Sequence, residues 1–226
     1  MAEDTQNQDQ LEQIGSSLTK VEQFVENNKK TVLYVVAAIV VVICGVFAYK
    51  NLYLDKQQDK ALAAMWPAEN QFRIDSFHIA LYGNENVTGF IDIVDEFGST
   101  KAGNTARYYA GCCAMRLGEF ETAIEYLSDF STDDPIIESE AICLLGDAYS
   151  ETENYKKAVS LYKKAAKVAD NELLSPRFLM KAGLVYEKLG EYDNAIEAYQ
   201  TIKKEYDGTP EASSVEKYIT RAQLKK

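Results

Sequence analysis

The chain has 226 residues, 46% hydrophobic and 26% charged, enough for one or two globular domains. Its formal net charge of −11 repels polyphosphates and anionic headgroups, which argues against a nucleic-acid ligand. Four cysteines without CxxC spacing and a single histidine leave no zinc, two-histidine or thioredoxin-type motif.

Residues 1–10 are polar, rich in Gln and acidic side chains, the composition of a disordered tail. Leu11, Ile14, Leu18, Val21, Phe24 and Val25 then fall at helical spacing and predict a short amphipathic helix. Its polar face carries Glu12, Glu22 and Glu26 against Lys20, poor chemistry for anionic lipid. Docking on a partner or weak interfacial packing is expected, with a plain helical spacer as the alternative. Residues 1–30 thus read as an acidic N-terminal arm.

Thr31 to Tyr49 contains no charged residue, between Lys29-Lys30 and Lys50. At about 1.5 Å rise per residue this stretch covers nearly the ~30 Å hydrocarbon thickness, so residues 31–49 are predicted to cross a lipid bilayer as one helix. Tyr34 at one end, with Tyr49 and Tyr53 at the other, suit the two headgroup layers. No A-x-A-like site follows, and Ile43 ahead of Cys44 is not the small residue of lipoprotein processing, so cleavage is not expected. Lys20, Lys29 and Lys30 balance Lys50, Lys56 and Lys60, so the positive-inside rule assigns no orientation.

Leu52 to Ile79 reads as helical, with Ala61, Leu62, Met65, Phe72 and Phe77 apolar and Pro67 kinking or restarting it. His78 has no second ligand type nearby and reads as a surface or packing residue. Tyr82-Gly83-Asn84 predicts a turn, and Asn86-Val87-Thr88 predicts the cap of a helix over Gly89–Phe97. The same triplet matches a glycosylation acceptor, a short motif of little weight.

The strongest pattern lies beyond. Ala182-Gly183-x-x-Tyr186 is followed by Leu189-Gly190, Tyr192 and Ala195-x-x-x-Tyr199. Gly183 and Ala195 are sized for a close crossing of two antiparallel helices, with the tyrosines filling the space around it. Leu145-Gly146-x-x-Tyr149, Tyr155 and Ala158-x-x-x-Tyr162 repeat the pattern. Ala110-Gly111, Leu117-Gly118-Glu119-Phe120 and Ala123-x-x-x-Leu127 repeat it again, with Ala114 in place of a Tyr. Pro135, Pro176 and Pro210 fall between or after the copies, where helices start or stop.

This pattern resembles the tetratricopeptide repeat. The resemblance implies an all-α fold: a single N-terminal transmembrane helix, then a tetratricopeptide-repeat α-solenoid with capping helices. Residues 50–103 would hold a connecting helix and a degenerate first repeat over 59–98, residues 104–207 three repeats, and residues 208–226 a C-terminal capping helix with Ala212, Val215, Tyr218, Ile219 and Ala222 as its apolar stripe.

By analogy with the family, the inner face of such a stack offers a candidate peptide-binding groove. It comprises Tyr108, Cys112, Met115 and Arg116, then Cys143 and Asp147, then Arg177, Met180, Leu184 and Lys188. Tyr108, Met115, Met180 and Leu184 are expected to form an apolar floor for an amphipathic helix or an extended apolar peptide. The Lys and Asn of the carboxylate-clamp version are missing. Among Cys112, Cys113 and Cys143, reduced buried thiols and one Cys112–Cys143 disulfide are both open. No nucleophile–base pair, phosphate cradle or metal cluster is present, so neither an enzyme nor a cofactor is expected.

The order of parts, with Val21-Glu22-Gln23-Phe24-Val25-Glu26-Asn27-Asn28-Lys29-Lys30 before the span, also resembles the YfgM-like group of ancillary SecYEG translocon subunits. That resemblance implies a bacterial inner-membrane protein with a cytoplasmic N-terminus and periplasmic repeats. Its partners would be translocon subunits, newly translocated proteins and a membrane-anchored periplasmic chaperone. The alternative is a membrane-tethered repeat scaffold for another envelope or cytoplasm-facing complex, with no role in translocation.

Overall fold

A computed structural model describes residues 28–226, so the predicted amphipathic helix over Leu11–Val25 lies outside the described residues. The chain divides into two units, residues 1–56 and 57–226. In the first, helix α1 spans Lys29–Ala48 and runs into a π-helical turn at Tyr49–Leu54. None of its residues is buried. By length and composition this helix can cross a membrane.

Helix α2, Asp55–Arg73, contains Pro67 in its interior, so the helix neither stops nor restarts there. The N–H lost at Pro67 would have met the carbonyl of Ala63, on the exposed side where water can replace it. The break comes instead at residues 74–76, where Asp75 adopts a positive φ of 60°. Helices α3, Phe77–Tyr82, and α4, Phe90–Phe97, follow, so residues 59–98 hold three helices where one hairpin is expected. Leu62, expected on the apolar face, is exposed. The turn at Tyr82-Gly83-Asn84 is present, and the Asn84 Oδ1 accepts from the N–H groups of Asn86 at 2.9 Å and Val87 at 3.0 Å. The N-cap of α4 is Gly89, with extended backbone and no side-chain cap. Phe90, Ile93 and Phe97 of α4 are buried in one cluster with Ala61, Met65 and Ala68 of α2.

Three helical hairpins then follow: α5 (Lys101–Leu117) with α6 (Phe120–Ser128), α7 (Pro135–Glu151) with α8 (Tyr155–Ala169), and α9 (Ser175–Lys188) with α10 (Tyr192–Glu205). Side chains start several of them. The Thr100 hydroxyl accepts from the Gly103 N–H, and the Asp134 carboxylate accepts from Ile136 and Ile137 with Pro135 in the first turn. Each hairpin closes over a glycine. A Cβ at Gly111 would run into Leu127, one at Gly146 would stand 2.8 Å from Tyr162, and one at Gly183 would run into Tyr199. Ala123, Ala158 and Ala195, the small residues predicted opposite, are all fully buried.

The turns within the hairpins share one geometry. Gly118 and Gly190 both have φ near +76°, and the next N–H reaches back to the carbonyls of Ala114 and Tyr186, each at 2.9 Å. In the middle hairpin Asn154 makes the same bond to Tyr149 at 2.8 Å, but the left-handed residue is Glu153, with φ 59°. The array ends in α11, Pro210–Ser214, and α12, Glu216–Lys225, with Val215, Ile219 and Ala222 buried against Tyr199 and Ile202. The predicted capping stripe is therefore split over two helices that meet at Val215. Arg221, expected on its polar side, donates to Glu187 at 2.7 and 2.9 Å and ties α12 to α9.

Replacing Gly183 with Ala should lower stability by about 1–3 kcal/mol, because Tyr199 is fully buried and has no room to retreat. Gly208→Ala, which meets nothing within 4 Å, should change it by less than about 0.5 kcal/mol. Glu153→Gly should raise stability by about 1 kcal/mol by relieving the left-handed backbone. Thermal denaturation of the three variants, followed by circular dichroism, checks all three signs.

Candidate functional site: the inner face of the helical array

The first helix of each hairpin supplies this face. On α9, Arg177, Lys181, Leu184 and Lys188 follow one another at helical spacing and form a single row. On α7, Glu140, Cys143 and Asp147 form the facing row. The two rows are joined: Lys181 Nζ lies 2.6 Å from an Asp147 carboxylate oxygen, and Arg177 lies 3.9 Å from Glu140. The Tyr162 hydroxyl, reaching in from α8, donates to Asp147 at 2.8 Å. The same device recurs one hairpin on, where the Tyr199 hydroxyl donates to Glu187 at 2.7 Å and Arg221 pairs with that carboxylate. The Glu187 side chain is only 7% exposed. Burial alone would raise its pKa, but the Arg221 and Tyr199 hydrogen bonds outweigh burial and hold it below the ordinary carboxylate range.

Each residue expected in the groove has a definite place. Tyr108 is half-buried, its ring 5.3 Å from that of Phe130. Burial first, and then neighbouring Cys112, push its phenol above the ordinary range. Arg116 lies over the Phe77 ring at 5.9 Å. Met115 packs into the N-terminal cluster and Met180 into the C-terminal one. Of the expected apolar floor of Tyr108, Met115, Met180 and Leu184, the first three are half-buried against neighbouring elements. Leu184 alone of the four is exposed, at 41%. Lys188 donates to the Tyr155 hydroxyl at 3.0 Å and sits over that ring at 4.6 Å. Between the rows lies a cavity of about 60 Å³, lined by Glu140, Cys143, Leu144, Asp147, Arg177, Phe178 and Lys181.

Lys181 is the residue that spacing did not single out. Burial would lower its pKa, yet Cys143 and Asp147 outweigh burial and hold it above the ordinary lysine range. Its signal was available, since an acidic row at 140 and 147 faces a basic row at 177, 181 and 188 one hairpin later.

All four cysteines are free, so no Cys112–Cys143 bond is formed. Burial pushes the Cys112 thiol up to about 11 and those of Cys113 and Cys143 up to about 12. Thiols so protonated are weak nucleophiles and packing groups. His78 is exposed, 5.1 Å from the Tyr82 ring. No group of three or more metal-ligating side chains occurs among the described residues.

Replacing Lys181 with Met should cost about 1 kcal/mol, since it strands a half-buried carboxylate that keeps only the Tyr162 hydroxyl. Arg177→Ala, which breaks a long and half-exposed pair, should cost less than about 0.5 kcal/mol. Urea denaturation of both variants measures the difference, and equal losses would show that the Asp147 pair is not the stronger link.

Residues 105–135 and 143–210 match family profiles of the tetratricopeptide repeat. A TPR repeat-containing protein of Methanocaldococcus jannaschii is 30% identical over 159 residues, covering 67% of this chain. The chain spans 27% of the length of that relative. Among solved structures, the MamA protein superposes with a TM-score of 0.50 at 22% identity, covering 73% of this chain and 91% of MamA. The nearly identical TPR-like repeats described as a kinesin light chain from Podosopora anserina give 0.52 at 14% identity, covering 76% and 85%. These likenesses carry the fold alone. Within the helical array, residues 105–135 and 143–210 carry the tetratricopeptide-repeat pattern.

Proposed function

We propose that the chain is a membrane-anchored interaction module, in which residues 31–49 span a bilayer and the inner face of the repeats grips another polypeptide. Tetratricopeptide repeats are protein-binding scaffolds, and the array offers no activated nucleophile in support of catalysis. Anchoring is supported by α1, whose apolar surface is nowhere buried. The observation that carries the binding reading is Leu184: it is an exposed aliphatic side chain between Lys181 and Lys188, on a face whose other charges are largely paired. A partner of matching chemistry is an amphipathic helix that sets an apolar residue on Leu184 and a carboxylate beside Lys188.

The YfgM-like resemblance extends this reading to the bacterial inner membrane. There the N-terminus is cytoplasmic, the repeats are periplasmic, and the occupants are translocon subunits, a membrane-anchored chaperone or newly translocated chains. The second reading, a tethered scaffold for another complex, draws on the same face with one fixed partner.

A photoreactive residue at position 184 of the full chain, irradiated in intact membranes, should crosslink translocon subunits or unfolded clients. One stoichiometric unrelated partner would select the scaffold. Leu184→Glu should weaken partner capture about tenfold with helix content unchanged, because an unpaired charge opposes apolar contact. Undiminished capture by that variant would defeat the inner-face assignment. Release of the full chain from membranes by carbonate would defeat the anchor.

A further inference from the structure

On the inner face, acidic and basic rows are paired with each other; on α6 and α8, two of the three second helices, the charges are segregated instead. Helix α8 exposes Lys156, Lys157, Lys163, Lys164 and Lys167 and contains no Asp or Glu. Helix α6 with its C-cap exposes Glu121, Glu125 and Asp129 and contains no Lys or Arg. Helix α4 adds exposed Asp92, Asp95 and Glu96. The two acidic helices form one field, since Glu125, Asp95 and Asp92, after burial, all raise the phenol of Tyr126. Like charges three and four residues apart destabilise a helix, and Lys167 is so spaced from Lys163 and Lys164, as Glu125 is from Glu121 and Asp129.

Among the described residues no salt bridge cancels these fields: none of these lysines or carboxylates closes an ion pair. Lys157 lies 6.0 Å over the Tyr149 ring. Glu191 and Glu197 border hollows shared with Lys156 and Lys163 without closing a bridge.

Repeat register makes the two helices complementary. Gly111 and Gly146 are equivalent positions, and the same offset sets Glu121 level with Lys156 and Asp129 level with Lys164. We infer that this outer face is a self-complementary docking surface for a second copy of the chain. A two-fold axis parallel to α6 and α8, running between them, places each copy's α8 on the other's α6. Glu121 then meets Lys156 of the other copy, and Asp129 meets Lys164, twice over, as an isologous interface requires. The alternative axis, across the helices, would stack lysines on lysines. Because these pairs are exposed, the association is salt-sensitive. It leaves Leu184 and the inner face of both copies free.

The test is the mass of the detergent-solubilised full chain by sedimentation equilibrium. At about 50 mM salt wild type should be a dimer, and the dissociation constant should weaken at least about tenfold at about 500 mM. Lys156→Glu with Lys164→Glu, and separately Glu121→Lys with Asp129→Lys, should each be monomeric with unchanged helix content. An equimolar mixture of the two variants, and the fourfold variant carrying all the exchanges, should recover the dimer. Monomeric wild type at low salt, or a dimer indifferent to both exchanges, would overturn the proposal. So would binding of monomeric wild type to vesicles of anionic phospholipid that only the lysine exchange abolishes, since that would assign α8 to a lipid surface.

Discussion

The array depends on a side chain that is missing. At Gly111, Gly146 and Gly183 the absent Cβ lets the second helix of each hairpin set a Leu or Tyr against the backbone of the first. Packing this close leaves no volume for adjustment, so every other contact in a hairpin inherits its register from that point. The buried alanines opposite follow from it, as does the placement of the two tyrosine hydroxyls, which emerge on the far side of the crossing beside Asp147 and Glu187. One apolar constraint thereby positions the polar links that join a hairpin to its successor. The Tyr162 and Tyr199 rings fill the crossing while their hydroxyls hold the carboxylates that Lys181 and Arg221 claim from the next element.

That coupling explains why the inner face differs from a plain apolar trough. Its charges serve cohesion between neighbours first, and ligand recognition falls to the side chains left over, with Leu184 foremost. Asp147 occupies the equivalent position one hairpin earlier, so successive hairpins share a frame while presenting different chemistry at the same point. The outer face carries no comparable duty, which is why whole helices there hold a single sign of charge.

Much of this was legible in the chain because the crossing is written in residue size. A Gly, then an Ala, then an aromatic at fixed spacing has one physical use, and the three hairpins stand where the pattern places them. Local rules read less well where tertiary context decides. Pro67 carries a strong breaker signal, yet the helix continues through it, while the true break at Asp75 uses a residue with only a mild tolerance for left-handed backbone. Glu153 was invisible as a turn residue because its side chain gives no hint of the conformation imposed by its neighbours. For the candidate site, helical spacing placed Arg177 and Leu184 on one row, but spacing alone carries no depth. Met115 and Met180 are flexible enough to be drawn into clusters on either side, and Lys181 gained its role from a carboxylate on another helix.

The distance from glycine to the residue that covers it is the same in all three hairpins: 111 to 127, 146 to 162, 183 to 199. The step from one hairpin to the next is not, since Leu127 precedes Gly146 by two residues fewer than Tyr162 precedes Gly183. The difference lies in the helix ends that flank the joints: α8 runs on to Ala169, seven residues past Tyr162, whereas α6 ends at Ser128, one residue past Leu127. The stretch from each covering residue to the next glycine is where evolution could lengthen the chain without disturbing a crossing, and where a reporter or a cleavage sequence can be spliced in. The same insertion inside a hairpin would slide an aromatic ring off its seat.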